Sequence, residues 1–321
     1  MTDEAPLWVP SDQILKDSPM AKFIAWCGER HGLNFTDYDA FHTWSVERRD
    51  DFWTAIWDFC GVKGACGERA LIDGDVMLEA RFFPDAELNF AENLLSRTGA
   101  GDALIFRGED KASDRWSWDR LTALVSRLQQ AYRAAGIGKG DRIAAMMPNM
   151  PETIAAMLAA ASIGAVWSSC SPDFGEQGVL DRFGQIAPKL FIACDGYWYA
   201  GKLQDVSAKI AAVTARLGVP SVIVAYAGDA AAVAAATPDA TTLEDFVAPF
   251  EARPVEYVAL PFSHPLYILF SSGTTGVPKC IVHSAGGTLL QHLKEHRLHC
   301  GLTEGERLFY FTTCGWMMWN W

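Results

Sequence analysis

The sequence predicts an α/β protein, with a helical N-terminal cap followed by a larger domain built on a mostly parallel sheet. Three observations lead there. Aromatic residues recur at helical spacing in the opening stretch. From residue 97 onward, short β-prone runs alternate with helical patterns, as in sheets whose parallel strands are joined by helices. Half of the 321 residues are apolar and mean hydropathy is +0.05, enough for a sizeable core and too apolar for a disordered chain.

Residues 1–95 hold Trp8, Trp26, Trp44, Phe52, Trp53, Trp57 and Phe59. Over 41–60, Phe41, Trp44, Phe52, Ile56 and Phe59 fall three to four apart, with an interruption at Glu47–Asp51. That is an amphipathic helical pattern. The rings read as packing rather than as a base-stacking platform, because no basic residues are interleaved with them.

Next come a strand at Ala103–Phe106, a helix at Trp118–Ala135 with Gly136 as its C-cap, and a strand at Arg142–Met147. After the breaker Pro148-Asn-Met-Pro151 follow a helix over Pro151–Ile163 and a buried strand over Ala165–Ser169. A helix at Glu176–Gln185 and a strand at Lys189–Cys194 continue the alternation, while the Ala-rich 228–240 reads as a surface excursion. Gly136-Ile-Gly138-Lys-Gly140-Asp141 imitates a dinucleotide fingerprint, but it follows a helix, precedes a strand and lacks the last glycine, so it is a turn.

Bulk properties exclude some functions. A net charge of −12 gives no general attraction to nucleic acid or anionic lipid, so positive charge for an anionic ligand must be local. The eight cysteines form no C-x-x-C pair and read as reduced core thiols. The acidic start Met1-Thr-Asp-Glu-Ala-Pro lacks an apolar run, and Pro148, Asn149, Pro151 and Glu152 interrupt the apolar stretch 142–170. The expectation is a cytoplasmic protein with no membrane partner.

The chemistry concentrates in Ser271-Ser272-Gly273-Thr274-Thr275-Gly276-Val277-Pro278-Lys279, set between the β-prone runs Leu266–Phe270 and Cys280–His283. Gly273 and Gly276 let main-chain N–H groups approach a ligand. The hydroxyls and amides suit polyphosphate oxygens, and Lys279 adds a point charge. A Walker loop would place lysine directly after the second glycine and continue into a helix, and neither holds here. The competing reading is a hydroxyl-rich hairpin loop without a ligand.

This stretch resembles the phosphate-binding signature of the adenylate-forming superfamily. Gly140–Glu152 with Met157–Trp167 resembles that superfamily's helix–strand core, and Thr312-Thr-Cys-Gly-Trp316 resembles its aromatic motif beside the acyl pocket. Leu7-Trp-Val-Pro10, Trp44-Ser-Val-Glu47, Phe82–Leu95 and the closing Gly315–Trp321 are similar to the acetoacetate–CoA ligase branch. The resemblance implies a cap over 1–96 and, over 97–321, the large N-terminal domain of the adenylate-forming fold, incomplete and without its C-terminal domain. It implies ATP, Mg²⁺ and CoA together with acetoacetate, and an acyl-adenylate intermediate. Acetate or propionate as the acid, or a nucleotide-binding piece without activity, stand as alternatives.

Ser271, Ser272, Gly273, Thr274, Thr275, Gly276 and Lys279 would hold the ATP phosphates. Trp316, Met317 and Met318 would line the acyl pocket, with a plain core role for Trp316 as the competing reading. Arg182 and Lys202 would meet the 3′-phosphate of CoA, against which stands ordinary surface charge. No catalytic residue is expected within the chain, since the superfamily's adenylation lysine belongs to the C-terminal domain. No metal site is expected either. His292, His296 and His299 share a predicted helix at metal-compatible spacing, yet Lys294, Glu295 and Arg297 among them favour a solvated face. His283 either faces the ligand or caps a strand end. Cys314 has no partner at a nucleophile's spacing, and no G-x-S-x-G occurs.

Overall fold

The computed structural model describes residues 7–272 and 276–321. They form two compact units, one made of the chain up to Ala86 together with Gly287–Phe309, the other of Glu87–Gly286 with Tyr310–Trp321. The return of 287–309 to the first unit depends on tertiary packing between distant segments, which local periodicity does not report.

The first unit opens with α1 (Asp12–Asp17), α2 (Pro19–His31), α3 (Tyr38–Glu47) and α4 (Arg49–Phe59). The Ser18 hydroxyl accepts from Ala21 N–H at 3.1 Å, with Pro19 at the first helical position, and Asp37 accepts from Ala40 N–H at 2.8 Å. Both are side-chain caps that satisfy otherwise orphaned donors. The expected interruption between α3 and α4 falls at Arg48, whose φ of −116° and ψ of 56° leave the helical region. Rings bury one another: Phe23 lies 5.0 Å from Phe59 and 5.8 Å from Phe41, and Trp44 lies 6.3 Å from Phe52. Short strands β1 (Gly64–Ala65), β2 (Leu71–Ile72) and β3 (Arg81–Phe82) follow. The returning segment contributes a π-helical turn, Lys294–His299.

In the second unit β4 (Glu87–Leu88) and α5 (Phe90–Leu94) precede the antiparallel hairpin of β5 (Asp102–Gly108) and β6 (Ala112–Ser117). Then come α6 (Trp118–Ala134), β7 (Arg142–Met146), α7 (Pro151–Ser162), β8 (Val166–Cys170), α8 (Glu176–Phe183) and β9 (Leu190–Cys194). The hairpin β10 (Gly196–Tyr199) and β11 (Lys202–Asp205) leads to α9 (Ser207–Leu217), β12 (Ser221–Val224), α10 (Ala230–Ala236), β13 (Ala240–Thr242) and α11 (Leu243–Val247). Last are β14 (Leu260–Pro261), β15 (Pro265–Phe270), β16 (Cys280–Ser284) and α13 (Met317–Asn320), while α12 (Ala285–Leu293) begins here and from Gly287 onward belongs to the first unit.

The main sheet has seven strands in the order β13-β12-β9-β7-β8-β15-β16. Only β15–β16 is antiparallel. The central strands β7, β8, β9 and β12 are almost continuously apolar and buried, as expected where helices cover both faces. One face builds a core from Ala144, Met146, Phe191, Ala193 and Ile223 against Phe183 of α8, Ile210 of α9 and Val233 of α10. Residues of the other parity, such as Ile143 and Ile192, turn away from that cluster, toward the side where α6 and α7 pack together.

One expectation is refined. Residues 228–240, read as a surface excursion, are mostly exposed and carry α10 and the start of β13. Asp229 caps α10 by accepting from Ala232 N–H at 3.0 Å, Val233 and Ala234 are buried, and β13 adds a parallel edge strand beside β12. Burial of Val233 and Ala234 anchors a segment that otherwise largely faces solvent. No helix of the described residues is long and apolar enough to cross a membrane.

Asn89 stitches the second unit together. Its buried amide N–H₂ donates to Val258 O at 2.9 Å, Ser162 O at 3.1 Å and Ala161 O at 3.2 Å, while its carbonyl accepts from Ala91 N–H at 2.9 Å. Replacing Asn89 by Ala takes from Val258 O its side-chain donor, leaves Ala161 O and Ser162 O with only their backbone donors Gly164 N–H and Val258 N–H, and removes the α5 cap. It is expected to lower the unfolding free energy by about 2–4 kcal/mol, read from urea midpoints, with Asn89→Asp intermediate.

Candidate active site

The site is built at the carboxyl edge of the sheet. Because β15 runs parallel to β8, with Tyr267 opposite Trp167, its end at Phe270 leaves the sheet on the same edge as Met146 of β7, Cys170 of β8 and Cys194 of β9. Ligands of open α/β sheets gather outside these carboxyl ends. The 271–279 loop springs from there and returns as β16, pairing Phe270 with Cys280.

The loop has a closed neck. Ser271 N–H donates to Lys279 O at 3.0 Å, and Lys279 N–H donates to the Ser271 hydroxyl at 2.9 Å. The hydroxyl oxygen is thus used as an acceptor, while its O–H proton stays available to a ligand. Gln185, beyond the end of α8, donates to Pro278 O at 2.8 Å and steadies the trailing side. Gly276 holds φ at 135°, a backbone state that side-chain-bearing residues rarely adopt. Ser272 and Lys279 are exposed. Gly273, Thr274 and Thr275 lie outside the described residues.

The second predicted segment arrives at the same edge. The Ser169 hydroxyl of β8 donates to Cys314 O at 2.9 Å, and Trp319 Nε1–H donates to Asn149 Oδ1 at 2.9 Å, in the loop after β7. Tyr267 of β15 donates to Asn320 O at 3.3 Å. A Cβ on Gly315 would lie 3.3 Å from the Phe174 ring and 3.4 Å from Ser171 N, so the chain passes this point closely packed. Trp316 is 68% exposed and Met317 also faces solvent, while Met318 is half-buried. Cys314 is fully buried, and burial pushes its thiol well above the ordinary value, which suppresses the thiolate a nucleophile requires.

Arg182 and Lys202 have different surroundings. The Arg182 guanidinium lies 4.5 Å from the Phe174 ring centre and 6.0 Å from that of Phe270, and donates to Gly178 O at 2.8 Å. It therefore stands near the root of the 271–279 loop, half-buried and stacked on rings. Lys202 stands exposed at the tip of the β10–β11 hairpin, opposite Tyr199.

His283 on β16 is half-buried, its ring 5.8 Å from that of Tyr267. The rings of His292 and His296 lie 5.8 Å apart, and His299 Nδ1 lies 3.2 Å from Lys294 O. Among the described residues, no group of three or more His, Cys, Asp or Glu is arranged to hold a metal ion.

Sequence reading missed Lys209. From α9 its ammonium donates to Pro172 O at 2.5 Å and Phe174 O at 2.8 Å, which organises the loop after β8. Desolvation lowers its pKa, partly opposed by nearby acidic groups. The available signal was the position of 171–175 at a strand's carboxyl end, a place that carries ligands in such sheets.

Burial also lowers the His283 pKa. The folded state thus disfavours its protonation, so the associated stability is present above the ordinary histidine value of about 6.5 and is lost as pH falls through the lower folded pKa. His283→Gln should therefore lose less stability than the parent between pH about 7.5 and 5.5, measured as the shift in urea midpoint. Identical shifts in the two proteins would contradict this.

Comparison with known proteins agrees with this geometry. A family model described as AMP-binding enzyme matches residues 92–320. An acetoacetyl-coenzyme A synthetase of Rhizobium meliloti (strain 1021) is 73% identical over 321 residues, covering 100% of this chain and 49% of that protein. A malonamoyl-CoA synthetase of Penicillium aethiopicum is 37% identical over 95% of this chain and 44% of that protein. The solved acetoacetyl-CoA synthetase from Streptomyces lividans superposes with a TM-score of 0.91 at 39% identity, over 99% of this chain and 49% of that one. The chain spans about half the length of the curated relatives it matches.

Proposed function

The chain belongs to the AMP-binding enzyme family, and from that premise we propose that the whole protein joins acetoacetate to CoA, driven by ATP. The observation that carries this reading is the convergence of the 271–279 loop and the 314–320 segment on one edge of the sheet. The domain reading is a cap over 1–96 and an adenylation domain over 97–321. The setting is the cytoplasm.

A carboxylate is a poor acyl donor because its leaving group would be oxide. In the first step its oxygen attacks the α-phosphorus of ATP, forming acetoacetyl-adenylate as pyrophosphate leaves. In the second step the CoA thiol attacks the acyl carbon, loses its proton, and AMP departs. Neither step needs a covalent enzyme nucleophile, in keeping with the suppressed thiolate of Cys314.

Lys279 and the hydroxyls of Ser271 and Ser272 would hold the departing pyrophosphate, aided by Gly273, Thr274, Thr275 and the backbone at Gly276. Ser271, Ser272 and Gln185 are neutral, so they suit phosphate oxygens better than a divalent cation. Mg²⁺ would be carried mainly by the phosphates and would supply charge neutralisation there. Trp316, Met317 and Met318 would shape the acyl pocket, methionine adapting to a bent four-carbon acid. Arg182 and Lys202 are proposed cations for the CoA 3′-phosphate. The adenylation lysine is proposed to lie in the half of the relatives that this chain does not span.

Two experiments test this on the full-length protein. Lys279→Ala and Gly276→Val should each depress acid-dependent ATP–pyrophosphate exchange by about tenfold or more, ~1.4 kcal/mol. Unchanged exchange in both, with circular dichroism intact, would sink the assignment of the loop.

The acid is tested by kcat/KM for acetoacetate, acetate, propionate and butyrate. A pocket discriminates each methylene-sized group by ~1–3 kcal/mol, so acetoacetate should exceed acetate by tens- to hundreds-fold. Acetate matching acetoacetate would move the protein to an acetyl-CoA synthetase reading.

A further inference from the structure

We propose that the first compact unit carries a binding site of its own for a small amphipathic anion: a compact apolar body ending in a single carboxylate. The site is a cavity of about 350 Å³, within the range of ligand pockets. It uses no residue of the candidate active site.

The cavity wall is aromatic and aliphatic, with Phe23, Phe41, Phe52 and Leu298 among its lining. Two permanent cations, Arg49 and Lys294, also line it, and no carboxylate does among the described residues. An apolar chamber with a few convergent charged groups is the usual composition of a small-molecule site. At the ~30 Å³ that a water occupies in liquid, the volume admits roughly ten non-hydrogen atoms.

The backbone there is specialised. Lys294–His299 is a π-helical turn, in which Cys300 N–H donates to Glu295 O at 2.8 Å. In an α-helix, residues five apart point about 140° away from each other. The wider turn brings Lys294 and His299 back to one side, and both line the cavity. Such turns are uncommon and recur at functional sites.

The charge is also unusual. The Lys294 side chain is only 16% exposed, and one of its three N–H groups is directed at Glu295 at 2.5 Å. A lysine so far removed from water favours further acceptors, which a ligand carboxylate supplies. Arg49 donates to Gly74 O at 2.6 Å and to Asp75 at 2.5 Å. Asp75 is 95% exposed, so that ion pair is weak and yields readily to a desolvated anion.

The test titrates the full-length protein with 4-phenylbutyrate and with its uncharged analogue 4-phenylbutan-1-ol, by calorimetry and saturation-transfer NMR. Val46 lines the cavity and is itself largely exposed, so Val46→Trp fills the cavity from the solvent side without straining the core. Lys294→Met removes the charge and keeps the stem. Saturable binding of 4-phenylbutyrate is expected, weakened about tenfold or more by Val46→Trp and about threefold or more by Lys294→Met. The alcohol should bind about threefold or more weaker than the acid. ATP–pyrophosphate exchange and circular dichroism should be unchanged in Val46→Trp, which shows that its fold is intact. No saturable binding up to about 10 mM, equal affinity in both variants, or equal affinity for the alcohol would overturn the proposal.

Discussion

The parallel pairing of β15 with β8 is the constraint on which the site depends. It aims the carboxyl end of β15 at the edge where β7, β8 and β9 also end. The hairpin partner β16 is then free to run back antiparallel, which sets both ends of the 271–279 loop at that edge, joined there by Ser271 and Lys279. A reversed β15 would carry the same loop to the opposite edge, away from Ser169, Asn149 and the segment they hold. Hydrophobic burial enforces the pairing, since Leu266, Tyr267, Ile268 and Leu269 of β15 are all buried.

Charge is arranged locally against the trend of the whole molecule. A net charge of −12 makes the general surface repulsive to polyphosphate, so attraction depends on placement. Arg182 lies against the Phe174 and Phe270 rings near the loop, and Lys209 grips the carbonyls of the loop after β8. Both are partly withdrawn from water, where each charge acts more strongly than on an open surface. Phe174 links these features, touching Arg182 on one side and the Gly315 backbone on the other.

Much of the fold was legible because its signals are local. Hydrophobic period separated α6 and α7 from β7, β8 and β9 to within a residue or two. The break between α3 and α4 showed as a gap in apolar spacing. The helix within the exposed 228–240 segment went unread because alanine carries little periodic contrast, and Asp229 becomes a cap only once the chain turns at that point. Lys209 was overlooked because a lysine on a helix reads as solvated until its two carbonyl partners, more than thirty residues earlier, are brought to it.

The sequence by itself determined the α/β class, the glycine at position 276 that a φ of 135° requires, and the hydroxyl and lysine chemistry of 271–279. These are properties of residues and their near neighbours in the chain. Only the tertiary structure decided that the ends of the loop and the 314–320 segment share an edge, that Arg182 leans on aromatic rings while Lys202 is exposed at a hairpin tip, and that Gly287–Phe309 returns to the first unit. The reason is that strand order, direction and register arise from burial summed over many distant side chains. No short window of sequence contains that sum.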